Sequence, residues 1–152
     1  MTICGEFEHY LSPQTPMHIY VNLQCALNRE RNIALNQRRT GPNLLITGSQ
    51  QSGKSTLCKI LVNYALRLGW QPILVDLDLN SSEVSPPGTI SAAMVNESTV
   101  LPSDALSKNS ISYFHGDCKL ITNEFYNKQM NELAEAVRLK QENDLAQFMH
   151  DY

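Results

Sequence analysis

The chain has 152 residues, four cysteines and a formal net charge of −3. This length fits one domain with a modest core. The slightly negative charge excludes a global basic field for nucleic acid, although a local basic patch remains compatible with it. No apolar run is long enough to span a membrane, and the first residues lack the layout of a secretory signal. We therefore expect no membrane association and a place in the cytosol or the nucleus.

The cysteines and histidines do not form a recognisable metal or disulfide pattern. The four cysteines are far apart in the sequence, and the four histidines are scattered in the same way. No pair of cysteines has the spacing of metal ligands, and the chain lacks the dense cysteines of a disulfide framework. We expect reduced thiols and no histidine metal site.

The first forty residues predict a short strand followed by a helix. Residues 3–11 alternate loosely between apolar and polar side chains, which is typical of a strand. Thr15 and Pro16 then provide a capping hydroxyl and a first-turn proline for a helix. Apolar residues follow at helical spacing, and a polar, basic stretch continues to Arg39 before Gly41 ends the helix.

Residues 43–77 have the pattern of a β-α-β unit. Residues 43–47 form a short apolar run, Lys54 begins an amphipathic helix, and Gly69 is a natural cap at its C-terminus. Residues 73–77 predict a second strand. A strand, a helix and a strand within about 35 residues imply a right-handed parallel crossover. The predicted fold class is therefore α/β, with a P-loop NTPase-like parallel sheet and flanking helices.

The C-terminal half gives weaker signals. Residues 79–110 are rich in Ser, Asn and Pro and are predicted to be irregular, whereas residues 111–115 predict another short strand. With about three to four core strands, the predicted domain is incomplete and marginally stable alone, since an unpaired strand edge invites association. A helix is predicted from Asn123, and its inward-facing residues are Phe125, Met130, Leu133 and Val137.

A phosphate-binding loop of the Walker A type lies between the apolar run and the second helix. Two glycines let successive backbone amides turn inward, and the helix N-terminus adds further amides that bind phosphate. In this pattern Lys54 reaches the β and γ phosphates and the Ser55 hydroxyl binds magnesium. The alternative is a glycine-rich turn at a strand-to-helix corner, and the flanking elements favour the phosphate loop. The candidate nucleotide-binding residues are Gly48, Ser49, Gln50, Gln51, Ser52, Gly53, Lys54, Ser55 and Thr56.

Two carboxylates end the second predicted strand. Asp76 and Asp78 are two positions apart, so they share one face of the strand, and ligands collect at the carboxyl ends of strands in open α/β sheets. Asp78 lies nearer the end of the strand. It is the better candidate for water-mediated magnesium binding or for accepting a hydroxyl proton. The alternative for both residues is a solvated acid at a strand end.

Several stretches on both sides of the loop form a recognisable set. They are Thr15-Pro16-Met17, Ala26-Leu27, Gly41-Pro42, Leu61-Val62-Asn63-Tyr64-Ala65, Val75-Asp76-Leu77-Asp78 and Val84-Ser85-Pro86-Pro87-Gly88-Thr89. With the loop, these stretches resemble the polynucleotide 5′-hydroxyl kinase family, and most closely the RNA kinase subunit of the mRNA cleavage and polyadenylation factor. The resemblance covers residues 5–90 well and is weaker through Phe114, Gly116 and Tyr126-Asn127-Lys128.

The resemblance implies both an architecture and an activity. Residues 1–14 would be the remnant of an N-terminal β-sandwich, residues 15–40 a linking helix, and residues 41–152 part of a P-loop kinase domain. Members of this family transfer the γ-phosphate of ATP to the 5′-hydroxyl end of RNA with Mg²⁺. They act in nuclear complexes for mRNA 3′-end formation, with other cleavage and polyadenylation factor subunits as partners, and in animals also in tRNA splicing. Lys54 and Asp78 would then be the catalytic residues, with Ser55 and Asp78 at the magnesium ion.

Two features leave other functions open. Many members of this family carry a Gly-Gln-Gly run shortly after the strand aspartate, where this chain has residues 80–82 as Asn-Ser-Ser. The only arginine after Asp78 is Arg138, although phosphoryl transfer usually needs a further cation at the developing charge. A catalytically inactive ATP-binding scaffold subunit is therefore the main alternative. An unrelated small P-loop ATPase or small-molecule kinase and a nonfunctional fragment of a longer gene product are the others.

Overall fold

The computed structural model describes residues 15–80, 82, 84–96, 110–117 and 123–150. The strand predicted at residues 3–11, and with it the β-sandwich remnant at residues 1–14, lies outside these residues. In the part of the chain that is described, no helix combines the length and the apolar character needed to cross a membrane.

The first two predicted helices are present. Helix α1 spans Met17–Asn36 and follows Pro16, with the Met17 amide donating to the Thr15 hydroxyl at 3.3 Å. Helix α2 spans Lys54–Arg67, and Gly69 just beyond it has a φ of 82°, which glycine adopts without the strain that other residues meet. The indole of Trp70 donates to the Asn28 side chain at 2.9 Å and so ties the end of α2 to α1.

The sheet has three strands and is antiparallel. Strand β1 spans Ile73–Asp76, β2 spans Thr89–Met94 and β3 spans Ser110–Phe114, in the order β1-β2-β3. Both neighbouring pairs are antiparallel, with Val75 opposite Ala92 and Ala92 opposite Ile111. The α/β class and the strand at residues 111–115 are thus confirmed.

The predicted parallel crossover is not what this chain forms. Residues 43–47 make no strand, and Leu45 in this run is 79% exposed. A short apolar run suggests a buried element, but it does not predict which strand the run pairs with. β1 instead takes its ladder from β2, which follows it in the chain and returns in the opposite direction. A hairpin-like return of this kind needs no crossover helix.

Strand β2 contradicts the prediction that residues 79–110 are irregular. It is the central strand of the sheet, and its first five residues are buried. The sequence pattern did not indicate this strand, because Thr-Ile-Ser-Ala-Ala-Met does not alternate between apolar and polar residues and contains small residues of low β propensity. The turn before it depends on Gly88, which has a φ of 82° and whose amide donates to the Leu79 carbonyl at 2.8 Å.

The sheet lies between two helices, with one apolar cluster on each face. On one face Ala93 and Val95 pack with Val62 of α2; on the other, Ile90 and Ala92 pack with Leu133 of α3, the helix that spans Asn123–His150. Successive residues of a strand point to opposite faces, which explains this division. β2 therefore carries both halves of the core.

Helix α3 confirms the prediction of a C-terminal helix from Asn123 and most of its inward face. Leu133 is 1% exposed, and Met130 and Val137 pack against the same cluster. Phe125 is the exception. It is 47% exposed and stacks on His115 with ring centroids 5.4 Å apart, instead of entering the core.

Candidate functional site

The loop predicted to bind phosphate, residues 48–56, bends sharply before α2. Gly53 has a φ of 84° and is the residue at the N-cap of the helix, and Gln51 also has a positive φ of 61°. Left-handed backbone of this kind is costly for most residues and free for glycine. The second glycine of the motif therefore stands where the backbone needs it.

The first glycine of the motif lies close to the other end of the loop. A methyl group added at Gly48 would approach the Ser52 hydroxyl oxygen to 3.1 Å and the Lys54 side-chain carbons to 3.8 Å. The loop is thus curved tightly enough for its two ends to meet. A larger residue at this position would push the lysine side chain and the loop apart.

Lys54 lies over the loop from which it extends. Its ammonium group donates to the Ser49 carbonyl at 2.7 Å, which holds the positive charge against the loop backbone. Within the described part of the chain, no side chain caps the N-terminus of α2, and no acidic residue lies in its first turn. The first amides of a helix that lack a capping side chain are suited to bind an anion. Ser55 and Thr56 are exposed in this first turn.

Asp76 and Asp78 form two consecutive turns at the end of β1. The Asp78 amide donates to Asp76 Oδ1 at 3.0 Å, and the Asn80 amide donates to Asp78 Oδ1 at 2.9 Å. Side chains that accept from the backbone two residues later hold the chain in a turn. Each carboxylate thus shapes the strand end and presents a charge there.

Tyr126 of α3 joins this acidic cluster, and sequence analysis did not find it. Its hydroxyl donates to the Leu77 carbonyl at 2.9 Å, between the two aspartates in the chain. Burial raises the pKa of Tyr126 above its ordinary value, and the charges of Asp78 and Asp76 raise it further. The sequence signals were its place in the weaker part of the family resemblance and an aromatic pair, Phe125-Tyr126, in the first turn of a helix, and neither assigned it a role.

The structure therefore brings the predicted residues together in two groups. Gly48, Ser52, Gly53 and Lys54 meet in the loop, whereas Asp76 and Asp78 meet Tyr126 at the end of β1. Among the described residues, no hydrogen bond or salt bridge joins Asp78 to the loop.

Residues 48–149 match the family model for the P-loop of the mRNA cleavage and polyadenylation factor CLP1. The chain belongs to this CLP1 P-loop family. The matched range contains the loop, the acidic cluster and Tyr126, so both groups of candidate residues lie within the family domain.

Similar proteins from other organisms support the family. The chain is 38% identical over 128 residues to the polyribonucleotide 5′-hydroxyl-kinase Clp1 of Danio rerio, covering 84% of this chain and 29% of that protein. It is 36% identical over 127 residues to the protein CLP1 homolog of Anopheles gambiae, covering 83% of this chain and 30% of that protein. The chain thus spans less than a third of the length of these CLP1 relatives.

One solved structure shares the fold. It describes an extended interface between Pcf11p and Clp1p and the structural basis of ATP loss in a point mutant. Its TM-score is 0.71 at 23% identity, and the match covers 85% of this chain and 33% of that one. The fold of the CLP1 P-loop region is therefore present here as a partial unit.

Proposed function

We propose that this chain binds Mg·ATP at residues 48–56 and transfers the γ-phosphate to a 5′-hydroxyl end of RNA. Its proposed setting is a nuclear complex for mRNA 3′-end cleavage and polyadenylation. Support comes from the family of the matched domain and from relatives that are named polyribonucleotide 5′-hydroxyl-kinases. The neighbouring structure of a Pcf11p–Clp1p interface supports other cleavage and polyadenylation factor subunits as partners.

The observation that carries this proposal is the geometry of the loop. A left-handed Gly53 precedes an uncapped helix start, and the Lys54 ammonium group lies back over the bend. Inward amides, a helix N-terminus and one cation together are what a polyphosphate requires. The lysine can exchange its bond to the Ser49 carbonyl for phosphate oxygens without leaving the loop.

Magnesium fits the donors that the site offers. The described residues contain no group of three or more His, Cys, Asp and Glu side chains that would form an all-protein metal site. Mg²⁺ at nucleotide sites keeps several waters and draws its other ligands from phosphates and one or two side chains. The Ser55 hydroxyl and Asp78, acting through water, would be sufficient. The ion would stabilise negative charge on the transferring phosphoryl group.

Asp78 is the proposed acceptor of the hydroxyl proton. Its Oδ1 is occupied by the Asn80 amide, so Oδ2 is the oxygen that would take the proton. In this step the 5′-hydroxyl oxygen of the RNA forms a bond to the γ-phosphorus. The bond between the γ-phosphorus and the oxygen that bridges it to the β-phosphate breaks, and ADP leaves. Asp76 is less suited to the role, because it is the last residue of β1 and is held in the ladder opposite Ser91, whereas Asp78 lies beyond the strand.

The main alternative is an ATP-binding scaffold subunit without turnover. One observation favours it: Arg138, the only arginine after Asp78, is held by Glu135 at 2.6 Å and by Glu142 at 2.8 Å on an exposed face of α3. An arginine that is already paired with two carboxylates is poorly placed to meet charge at a phosphoryl group. Nucleotide binding would then serve assembly instead of chemistry.

A labelling experiment separates these two functions. The chain is incubated with γ-labelled ATP, magnesium and a 5′-hydroxyl RNA, alongside the Lys54→Ala, Asp78→Asn and Lys59→Ala variants. We expect label on the RNA end, reduced about a hundredfold or more by Lys54→Ala and by Asp78→Asn. Lys59→Ala removes the same charge from the same helix outside the loop and should stay within about twofold of the unchanged chain.

Each outcome decides between the proposals. Nucleotide binding that depends on Lys54, without any label on the RNA, supports the scaffold. If Lys54→Ala and Lys59→Ala bind Mg·ATP as tightly as the unchanged chain, the loop is not a nucleotide site and both proposals are wrong. Label on a small-molecule acceptor but not on RNA would point to a different kinase.

A further inference from the structure

The peptide unit between Leu77 and Asp78 is held at both of its polar atoms. Its carbonyl accepts from the Tyr126 hydroxyl at 2.9 Å, and its amide donates to Asp76 Oδ1 at 3.0 Å. A peptide unit is planar, so fixing both atoms fixes the orientation of the whole plane. The Cα atom of Asp78 belongs to that plane. These two bonds therefore set the position of Asp78 Cα and the axis from its amide nitrogen, and the Asn80 amide, which donates to Asp78 Oδ1 at 2.9 Å, holds the side chain about that axis.

The tyrosine that supplies one of these bonds is itself held firmly. Tyr126 packs against the apolar cluster around Leu133, and its ring meets the His115 ring edge-on at 5.9 Å. His115 Nδ1 lies 2.9 Å from Gln129 Oε1, and Gln129 Nε2 donates to the Phe114 carbonyl at 2.9 Å. The Tyr126 hydroxyl is thus placed by the core and by β3, elements that do not depend on the phosphate loop.

We propose that Tyr126 is a positioning residue for Asp78: by holding the Leu77 carbonyl from α3, it fixes the position of the Asp78 carboxylate at the end of β1. This inference rests on the proposed function, in which Asp78 accepts the hydroxyl proton. Tyr126 does not itself touch the reacting atoms. The contact also makes the site depend on α3, because Tyr126 lies 49 residues after Leu77 in the sequence.

Asp78 needs an anchor of this kind because it is exposed and lies beyond the last residue of β1. A short, exposed strand end frays unless it is held by side chains. One hydrogen bond to a partly exposed carbonyl contributes a modest amount, so its loss should cost about three- to tenfold. Removing the carboxylate should cost far more, since that removes the proton acceptor itself.

The test compares Tyr126→Phe with Tyr113→Phe in the full chain. Tyr113 packs on the same apolar cluster, and among the described residues its hydroxyl makes no hydrogen bond. We expect Tyr126→Phe to lower kcat about three- to tenfold with the KM for Mg·ATP unchanged, and Tyr113→Phe to leave both within about twofold. Equal losses in the two variants would overturn the proposal, since packing alone would then explain them.

A double variant adds a readout that a purely structural role would not move. If Tyr126 acts through Asp78, then Tyr126→Phe should have little further effect in an Asp78→Asn background, because the group it positions is gone. If the full three- to tenfold loss persists there, Tyr126 does not act through Asp78 and the proposal is wrong.

Amide hydrogen exchange tests the same contact without relying on turnover. The Asp78 amide should exchange about three- to tenfold faster in Tyr126→Phe and at an unchanged rate in Tyr113→Phe. An unchanged rate in both variants would overturn the positioning role. A chain that transfers no phosphate but shows this difference would defeat the proposed enzyme while retaining the anchoring of Asp78, so the two failures can be told apart.

Discussion

The phosphate loop and the acidic end of β1 are built in different ways. The loop holds itself together through neighbours in sequence: the Lys54 ammonium group binds a carbonyl five residues away, and Gly53 turns the backbone. The acidic end depends on Tyr126, which lies 49 residues from the carbonyl that it binds and packs on a buried cluster. One half of the site is therefore local, and the other half exists only when the fold is complete.

Because of this difference, substitutions in the core and substitutions in the loop should affect stability and nucleotide binding differently. Changes in the core under Tyr126 should weaken the acidic end together with global stability, because both depend on the same cluster. Changes in the loop should weaken nucleotide binding at a smaller cost in stability, since its residues are exposed.

Leu133→Ala should have the largest effect on stability. Leu133 is 1% exposed and packs with Ile90 and Ala92 beneath Tyr126, so truncating it leaves a cavity at the centre of the α3 face. We expect the free energy of unfolding to fall by about 2–5 kcal/mol. Urea unfolding followed by circular dichroism measures it.

Leu139→Ala is the matched control for this cavity. Leu139 lies on the same helix but is 48% exposed, so the same truncation should change the free energy of unfolding by less than about 0.5 kcal/mol. Similar losses in the two variants would mean that α3 is not packed on the sheet in the way described.

Gly53→Ala should have an intermediate effect that falls mainly on the loop. A Cβ at Gly53 meets no atom within 4 Å, so the cost arises from the φ of 84° alone. We expect a loss of about 1–2 kcal/mol in the free energy of unfolding. We also expect weaker binding of Mg·ATP in calorimetry, because relaxing this φ turns the first amides of α2 away.

Gly41→Ala is the control, since an added Cβ there is also in open space but the backbone is not left-handed. It should leave Mg·ATP binding unchanged and raise the free energy of unfolding by up to about 1 kcal/mol, through fewer unfolded conformations. If Gly53→Ala behaves in the same way, the left-handed bend has no role in binding.

The features that could be predicted from the sequence are the local ones, and those that could not are set by contacts between distant segments. The loop, α2 and its glycines are set by neighbouring residues, and the pattern of Gly48, Gly53 and Lys54 was sufficient to locate them. The predicted pairing of β1 is wrong, because strand pairing depends on segments that are distant in the sequence. Strand β2 was not predicted, because it does not alternate between apolar and polar residues. Tyr126 could not be assigned for the same reason: its hydrogen bond links two elements whose proximity only the folded chain defines.

The smallest predicted effect is on the titration of Tyr126. Burial raises its pKa above the ordinary value of 10.0, and the charges of Asp78 and Asp76 raise it further. Asp78→Asn removes one charge and should lower this pKa while leaving it above 10.0 through burial. Tyrosinate absorbance, taken as a difference from Tyr126→Phe, measures it among the six tyrosines.

The sign of the raised pKa also fixes the direction of the stability change. The folded chain holds the Tyr126 proton more tightly than the unfolded chain, so this contribution is complete below pH 10.0 and is lost as the pH rises through the folded value. Glu135→Gln is the control, since it also removes one charge from the chain but at an exposed position next to Arg138. If it lowers the pKa of Tyr126 as much as Asp78→Asn does, the shift reflects net charge, and the tyrosine is not specifically coupled to the acidic end of β1.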